Sequence, residues 1–358
     1  MSRPARARIN LQALQHNFSL VQQAAPDSRI MAIIKANAYG HGLISIAQSL
    51  PAAAAFGVSC LDEAIALREA GFDRRIVLLE GLFGPDDISL VCGYRLDVVV
   101  HHESQLQWLV QGTLLRSLDV WLKIDTGMHR LGFDPGSVGD IVSRLQQIPK
   151  VQTVRYMTHF PCADDLDNPD THQQIETFNA SLAAVEGEHS LANSAGLLGW
   201  PAARADWVRP GIMLYGGSPL GGRSAESLGL QPVMTLSTRL IAVNALKQGD
   251  AVGYGGDWRC PSDRSIGVAA IGYGDGYPRH APSGTPLRVN GHEASLVGRV
   301  SMDMISVDLG AVPNAQVGDE VVLWGEGLPV DDVAASAATI SYELFCGVGS
   351  RVQFSYSS

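Results

Sequence analysis

Over residues 1 to 228, short apolar and β-branched runs alternate with stretches whose apolar positions recur every three or four residues. The runs are IMAIIK, AFGVS, RIVLLEG, LDVVVH, VWLKID, VRYMTHF, SLANS and WVRPG. Continuous apolar runs of this length predict strands buried on both faces, and the periodic stretches between them predict helices. LDEAIALREAG, residues 61 to 71, is one such helix, with Asp62 and Glu63 in its first turn and Gly71 as its stop. Eight β-α units predict an α/β fold, a closed (β/α)8 TIM-type barrel with helices outside. A doubly wound open sheet has the same alternation and is the competing architecture.

The pattern changes after YGGSPLGGRSAES, residues 215 to 227. VMTLSTRLIAV, IGVAAIGYG, PLRVNG, ASLVGRV, MISVDLG and EVVLWG predict strands separated by Gly, Pro and Asn turns, and only ISYELFCGV near the end returns to a helical period. The expected division is a barrel over residues 1–228 and a mostly β domain over residues 229–358.

Composition narrows the partners. A chain of 358 residues, 46 % of them hydrophobic, is long enough for two cores. A net charge of −10 and no run of Lys or Arg argue against nucleic acid and anionic lipid. Nowhere do about 18 apolar residues follow one another, so no membrane span is expected. MSRPARARINLQALQHNF passes directly into an amphipathic pattern without an apolar leader, which predicts a cytoplasmic protein. Cys60, Cys92, Cys162, Cys260 and Cys346 are odd in number and scattered, as reduced thiols are. HHES at 101 to 104 is not H-E-x-x-H and reads as a solvated cap, and GYGG and GYGDG lack the full G-x-G-x-x-G. Neither a metal nor a dinucleotide is expected.

In a barrel of this kind the C-terminal ends of the strands form the working face. Those ends supply Lys35, then Lys123 with Asp125, His159, Asn193 with Ser194, and Arg209 with Gly211. NSAG and RPGI follow the seventh and eighth strands, where this fold holds phosphate; the Ser194 hydroxyl and amides near Gly211 can bind a dianion there. For Lys35 alone, a lysine capping a strand end is the simpler reading. Opposite a phosphate site, it points to pyridoxal 5'-phosphate, whose aldehyde a lysine captures as a Schiff base. Such a lysine must spend time neutral; its unperturbed pKa is about 10.4, so burial beside other cations is the way to lower it.

IIKANAYGHG, LKIDTGMHRLGF, THF, NSA, DWVRPGIMLYG, VGYGGDW, GYGDGYPR and VGRVSMDMISVDLG stand in this order from end to end. With these blocks the chain closely resembles the bacterial alanine racemases over nearly its whole length. The resemblance implies a (β/α)8 barrel followed by a β domain, pyridoxal 5'-phosphate in the barrel mouth, and Lys35 as the Schiff-base lysine and the base on the D face. Tyr254 matches the base on the L face, which in that family reaches over from the partner of a head-to-tail homodimer. His159 would link Arg209 to this tyrosine, with Arg209 facing the pyridine nitrogen. Tyr39, Ser194, Gly211 and Ile212 match the phosphate site, with Asn193 beside them. Arg130 matches the arginine that meets the substrate carboxylate, and Lys123 a lysine, carbamylated in some members, that braces it. Met302 and Asp303 match the pair that closes the substrate pocket from the partner chain, and Tyr273 a residue of the entrance.

Two bases on opposite faces are what racemisation needs, because a carbon deprotonated from one side inverts when it is reprotonated from the other. Moving a tyrosine from a pKa near 10 to about 7 takes roughly 4 kcal/mol of phenolate stabilisation, which nearby cations can supply. An arginine at the ring nitrogen donates a hydrogen bond but keeps its proton, which favours proton exchange over transamination. The expected function is interconversion of L- and D-alanine. A broad-specificity or serine racemase of the same fold and a non-catalytic pyridoxal-phosphate-binding barrel remain as alternatives. The sequence leaves open whether D-alanine is made as a peptidoglycan precursor or alanine is degraded. Two stretches depart from the commonest family pattern. Ser350 and Gln353 stand where many members have tyrosine and proline, and Pro161 and Cys162 replace small and basic residues after THF.

Overall fold

The computed structural model describes residues 3–357. Ala5, Ala7 and Ile9 are buried while Arg6, Arg8 and Asn10 are exposed, and this alternation makes the first strand, β1 (Arg6–Asn10). Asn10 then caps the helix Leu11–Ala24, its side-chain oxygen accepting from the Ala13 amide at 3.0 Å.

Eight parallel strands follow: β2 (Arg29–Ile33), β3 (Ala55–Val58), β4 (Arg75–Leu78), β5 (Asp97–Val100), β6 (Leu118–Lys123), β7 (Val151–Met157), β8 (His189–Ser190) and β9 (Trp207–Val208). β9 pairs with β2, so the sheet closes into a barrel and the open-sheet alternative falls. The expected helix forms as Leu61–Glu69, with Asp62 and Glu63 in its first turn. His102 caps the helix Glu103–Gln111, accepting from the Ser104 amide at 3.2 Å.

The second unit contains β10 (Met234–Leu246), β11 (Ala251–Val252), β12 (Trp258–Arg259), β13 (Arg264–Ala269), β14 (Pro286–Val289), β15 (His292–Val297), β16 (Ile305–Asp308), β17 (Glu320–Trp324) and β18 (Gln353–Ser357). β10 pairs with both β17 and β13, so six of these strands close on themselves. β11 and β12 form a small hairpin with Tyr254 in its turn.

Two features differ from the expectation. The division after residue 228 groups Arg6–Asn10 with the barrel, but β1 runs antiparallel along β10 and parallel along β18, inside the second sheet. Besides the expected helix, found as Ser341–Gly347, there is an earlier one, Val330–Ser336, which buries Val330, Val333 and Ala334 and has Asp331 and Asp332 in its first turn. The helix Ser341–Gly347 joins the two units, because a Cβ on Gly40 would collide with the Phe345 carbonyl oxygen. Among the described residues no helix is long and apolar enough to cross a membrane.

Candidate active site

The strand-end lysine leads directly into an unusual turn. Gly40 and Gly42 have positive φ, as the glycines of this loop suggest, but so do four residues before them: Ala36, Asn37, Ala38 and Tyr39, at φ 52° to 55°. Residues 36–39 thus form a single left-handed turn without a glycine. Each such residue costs about 1–2 kcal/mol, so the turn persists only because its surroundings impose it. The Asn37 side chain accepts from the Leu43 amide at 2.9 Å, and the buried His41 ring lies 2.8 Å from the Tyr39 carbonyl oxygen through Nδ1. The Tyr39 ring stacks on Tyr215 with centroids 4.7 Å apart, and the Tyr215 hydroxyl donates to the Ile33 carbonyl at 2.9 Å.

The turn opens on a cavity of about 470 Å³ at the barrel mouth. Lys35, Tyr39, Lys123, Arg130, His159, Asn193, Ser194, Arg209, Gly211 and Ile212 all line it. At one end the Tyr39 hydroxyl sits so close to Gly211 that a Cβ there would lie 2.5 Å from it. Ser194 Oγ accepts from the Gly211 amide at 2.8 Å, which leaves its proton free to donate. Asn193 caps the short helix Ser194–Gly199, accepting from the Gly196 amide at 2.8 Å. Burial pushes the Tyr39 phenol well above its ordinary pKa, so it stays a donor.

Four cations, Lys35, Lys123, Arg130 and Arg209, share this space with one carboxylate, Glu80. Burial, then Arg209 and Arg130, bring Lys123 down to about 7. Arg209 is buried and gives its protons to the Ser190, Thr158 and Leu191 carbonyls and the Ser190 hydroxyl, at 2.6 to 3.2 Å. Burial lowers it to about 10, so it remains charged near neutral pH. Its last contact is to His159 Nδ1 at 3.3 Å. Arginine can only donate, so Nδ1 accepts and a neutral His159 carries its proton on Nε2. Burial first, and then Arg209, Lys123, Arg130 and Lys35, hold this histidine well below its usual pKa and hence neutral.

Tyr254, Tyr273, Met302 and Asp303 do not line the cavity. Tyr254 is 68 % exposed and Met302 53 %. All four lie on the β domain, Tyr273 tied by hydrogen bonds to the segment of Met302 and Asp303, and the Tyr254 turn packed beside Arg299, three residues before Met302. The Tyr273 and Gly274 amides donate to the Ser301 and Met302 carbonyls at 3.0 and 2.9 Å, and Arg299 pairs with Asp257 beside the Tyr254 turn. Buried Asp275 accepts from Arg3 Nε and the Gly272 amide, both at 2.9 Å, while Arg351 reaches Asp303.

Three lining residues with polar or titratable side chains were not expected from the sequence. Glu80 lies at the end of RIVLLEG, where the strand-end rule should have caught it. Tyr342 and Cys346, four apart on the helix Ser341–Gly347, reach the cavity from the second unit. Ser350, where the family's tyrosine is absent, is exposed and outside the cavity, whereas the Tyr342 ring lies 5.8 Å from that of Tyr39.

Comparison with known proteins agrees along the whole chain. Residues 9–219 match the family model described as alanine racemase, N-terminal domain, and residues 233–356 that of the C-terminal domain. An alanine racemase of Thioalkalivibrio sulfidiphilus is 55 % identical over 361 residues, covering 99 % of both chains, and one of Vibrio cholerae is 53 % identical over 353 residues, covering 98 % of both. The crystal structure of the biosynthetic alanine racemase from Pseudomonas aeruginosa superposes with a TM-score of 0.97 at 46 % identity, covering 99 % of this chain and 100 % of that one. By matching family models over both units and relatives this similar over nearly full length, the chain belongs to the alanine racemase family of amino-acid isomerases.

Proposed function

We propose that the cavity holds pyridoxal 5'-phosphate and that L- and D-alanine are interconverted there by two bases, Lys35 of one chain and Tyr254 of a second copy. The donor set fits a phosphorylated aldehyde. Tyr39 and Ser194 offer hydroxyls and Ile212 an amide around a space that a Cβ on Gly211 would fill, and cations dominate the rest. When bound, the cofactor offers its aldehyde to an amine and its ring draws electrons from the substrate's Cα–H bond.

The chain's own residues do the rest. Lys35 takes or returns the α-proton on the D face and Tyr254 does so on the L face, so a proton lost to one and regained from the other inverts the carbon. His159 donates through Nε2 to the Tyr254 oxygen and so stabilises its phenolate. Arg209 faces the ring nitrogen and donates to it without yielding its proton, which restrains electron withdrawal and favours proton exchange. Arg130, braced by Lys123, binds the substrate carboxylate. Met302 and Asp303 of the second copy close over the small side chain, and Tyr273 lines the entrance.

One observation carries this reading: the expected residues divide into a set that lines a cavity and a set exposed on the β domain of the same chain. A homodimer in which each β domain completes the other chain's mouth reunites them. The test mixes two inactive variants, Lys35→Ala and Tyr254→Phe, after mild dissociation. Random reassociation into dimers makes one mixed dimer in two, with one of its two sites intact, and restores about a quarter of wild-type racemisation. No recovery from mixtures shown to exchange chains would mean that each site draws both bases from one chain.

A further inference from the structure

The left-handed turn between Lys35 and Tyr39 needs an anchor outside itself. Its internal bonds, from Asn37 to Leu43 and from His41 to the Ala38 and Tyr39 carbonyls, lie within residues 37–43 and move with it. Among the described residues, one hydrogen bond ties the backbone of residues 35–40 to a distant part of the chain. The Asn37 amide donates to Glu63 Oε1 at 3.0 Å. The other carboxylate oxygen accepts from the Ser59 amide at 3.0 Å and the Ser59 hydroxyl at 3.1 Å. Ser59 lies just after β3, and Glu63 is in the first turn of the helix that follows, so this carboxylate spans the loops after two neighbouring barrel strands.

We infer that Glu63 is a positioning residue for Lys35 and Tyr39, fastening the strained turn that presents both side chains to the cofactor; this rests on the pyridoxal-phosphate reading above. The task requires an acceptor at both ends of the side chain. Glutamine would turn an NH2 group against the Asn37 amide or against Ser59, and alanine would leave the Asn37 amide without its partner. Released from Glu63, the turn samples other conformations, and Lys35 and Tyr39 no longer meet one ligand from one rigid segment.

The test uses the full chain loaded with pyridoxal phosphate and compares wild type with Glu63→Ala and Glu63→Gln. The glutamine variant is near-isosteric and covers the case in which alanine does not fold. Cofactor release into an excess of competing acceptor should be about tenfold faster in both variants, as expected for the loss of a charge-assisted bond. Amide exchange at Asn37 should speed up as well, with turnover falling more than KM rises. Adding Ala36→Gly to Glu63→Ala should restore part of the release rate, because glycine holds a positive φ without a Cβ penalty. Wild-type release and exchange rates in both variants would overturn the inference. So would a defect that Ala36→Gly leaves unchanged, since it would refer Glu63 to capping its own helix. A wild-type chain that takes up no pyridoxal phosphate would instead overturn the cofactor reading, and this inference with it.

Discussion

Below the mouth, toward the N-terminal ends of the barrel strands, Arg29, Glu188, Arg155, Asp119, Arg75 and Asp97 follow one another as a chain of ion pairs, whereas the mouth gathers four cations around one carboxylate. The lower contacts are close: 2.5 Å from Arg29 to Glu188, 2.6 Å on to Arg155, 3.0 Å to Asp119 and 2.8 Å to Arg75. The Trp121 and Trp207 indoles donate to Asp97 and Glu188 at 3.0 and 2.9 Å. The same strands carry both layers, since Trp121 precedes Lys123 by two on β6 and Arg155 precedes Met157 by two on β7.

Three arginines balance three carboxylates below, and the proton affinities there follow the pairing. Burial alone would raise Asp119 and Glu188, but hydrogen bonds from the arginines outweigh it, with Trp207 helping at Glu188; Asp119 is lowered and Glu188 falls to about 2. At the mouth Lys123, Arg209 and His159 are all pushed toward losing a proton. Charges that balance one another are completed by folding; charges that do not are completed by an anionic ligand, here the proposed phosphate and the substrate carboxylate.

The largest expected effect breaks function at the mouth without weakening the fold. Lys35→Ala should lower racemisation by at least about 10²–10⁴-fold, as for a lost general base, and remove the visible absorbance of the bound cofactor. The melting temperature of the cofactor-free chain should hold or rise, because one of four facing cations is gone. Chiral chromatography of alanine and a thermal melt measure the two, and a clear drop in melting temperature would contradict the view of the mouth as uncompensated. The mirror experiment lies below. Asp119→Ala removes the partly buried carboxylate shared by Arg75 and Arg155, which keep only Asp97 and Glu188, and losing these charge-assisted hydrogen bonds should cost about 1.5–3 kcal/mol. Urea unfolding should register that loss while the folded fraction racemises normally; a change below about 1 kcal/mol would place this network among ordinary surface pairs.

Much of this contrast was legible in the sequence. The eight apolar runs gave the barrel, and the residues ending them gave three of the four cations of the mouth, Lys35, Lys123 and Arg209, because strand ends in this fold point to one face; Arg130, in the loop after β6, came from the family resemblance. The lower network was written just as openly, in Arg29, Arg75, Asp97 and Glu188 at the starts of strands, but attention to strand ends passed over it. Other features were not legible for physical reasons. Neither Ala36 nor Ala38 encodes a left-handed turn, and Asn37 merely tolerates one; tertiary contacts from Glu63 and Phe345 impose it. Strand β1 has a period of two, but its inward residues are small alanines and its partner β10 begins more than 220 residues later. Helix Val330–Ser336 carried its signal in Asp331 and Asp332, and the β pattern around it hid that. That Tyr254 stands outside the cavity of its own chain was legible only through the family resemblance, which implies a role at a partner's site; its motif by itself fixes a residue type, not a location, and in the fold it is exposed.

Per unit of pH, the smallest expected effect is the dependence of stability on pH, and its windows distinguish the two regions. A base whose pKa is lowered by folding binds a proton in the unfolded chain over a range where the native chain does not, so stability rises with pH across that range. For Lys123 the range runs from about 7 to 10.5, and for His41, lowered mainly by burial, from about 4 to 6.5. Glu188 behaves as a lowered acid: its contribution is full above 4.5 and is lost as pH falls toward about 2. Asp97, more deeply buried, is pushed up and partly offsets it. The lower network should therefore shape the slope below about pH 4.5, the buried histidines of the mouth and its turn the slope up to 6.5, and Lys123 the slope above neutrality. One group can contribute at most about 1.4 kcal/mol per pH unit. Urea unfolding of the cofactor-free chain between pH 7 and 10 should show a rise that Lys123→Met flattens and Glu188→Gln leaves in place. An unchanged slope in Lys123→Met would mean that its amine is already paired in solution, for instance as a carbamate, which added mass on Lys123 would reveal.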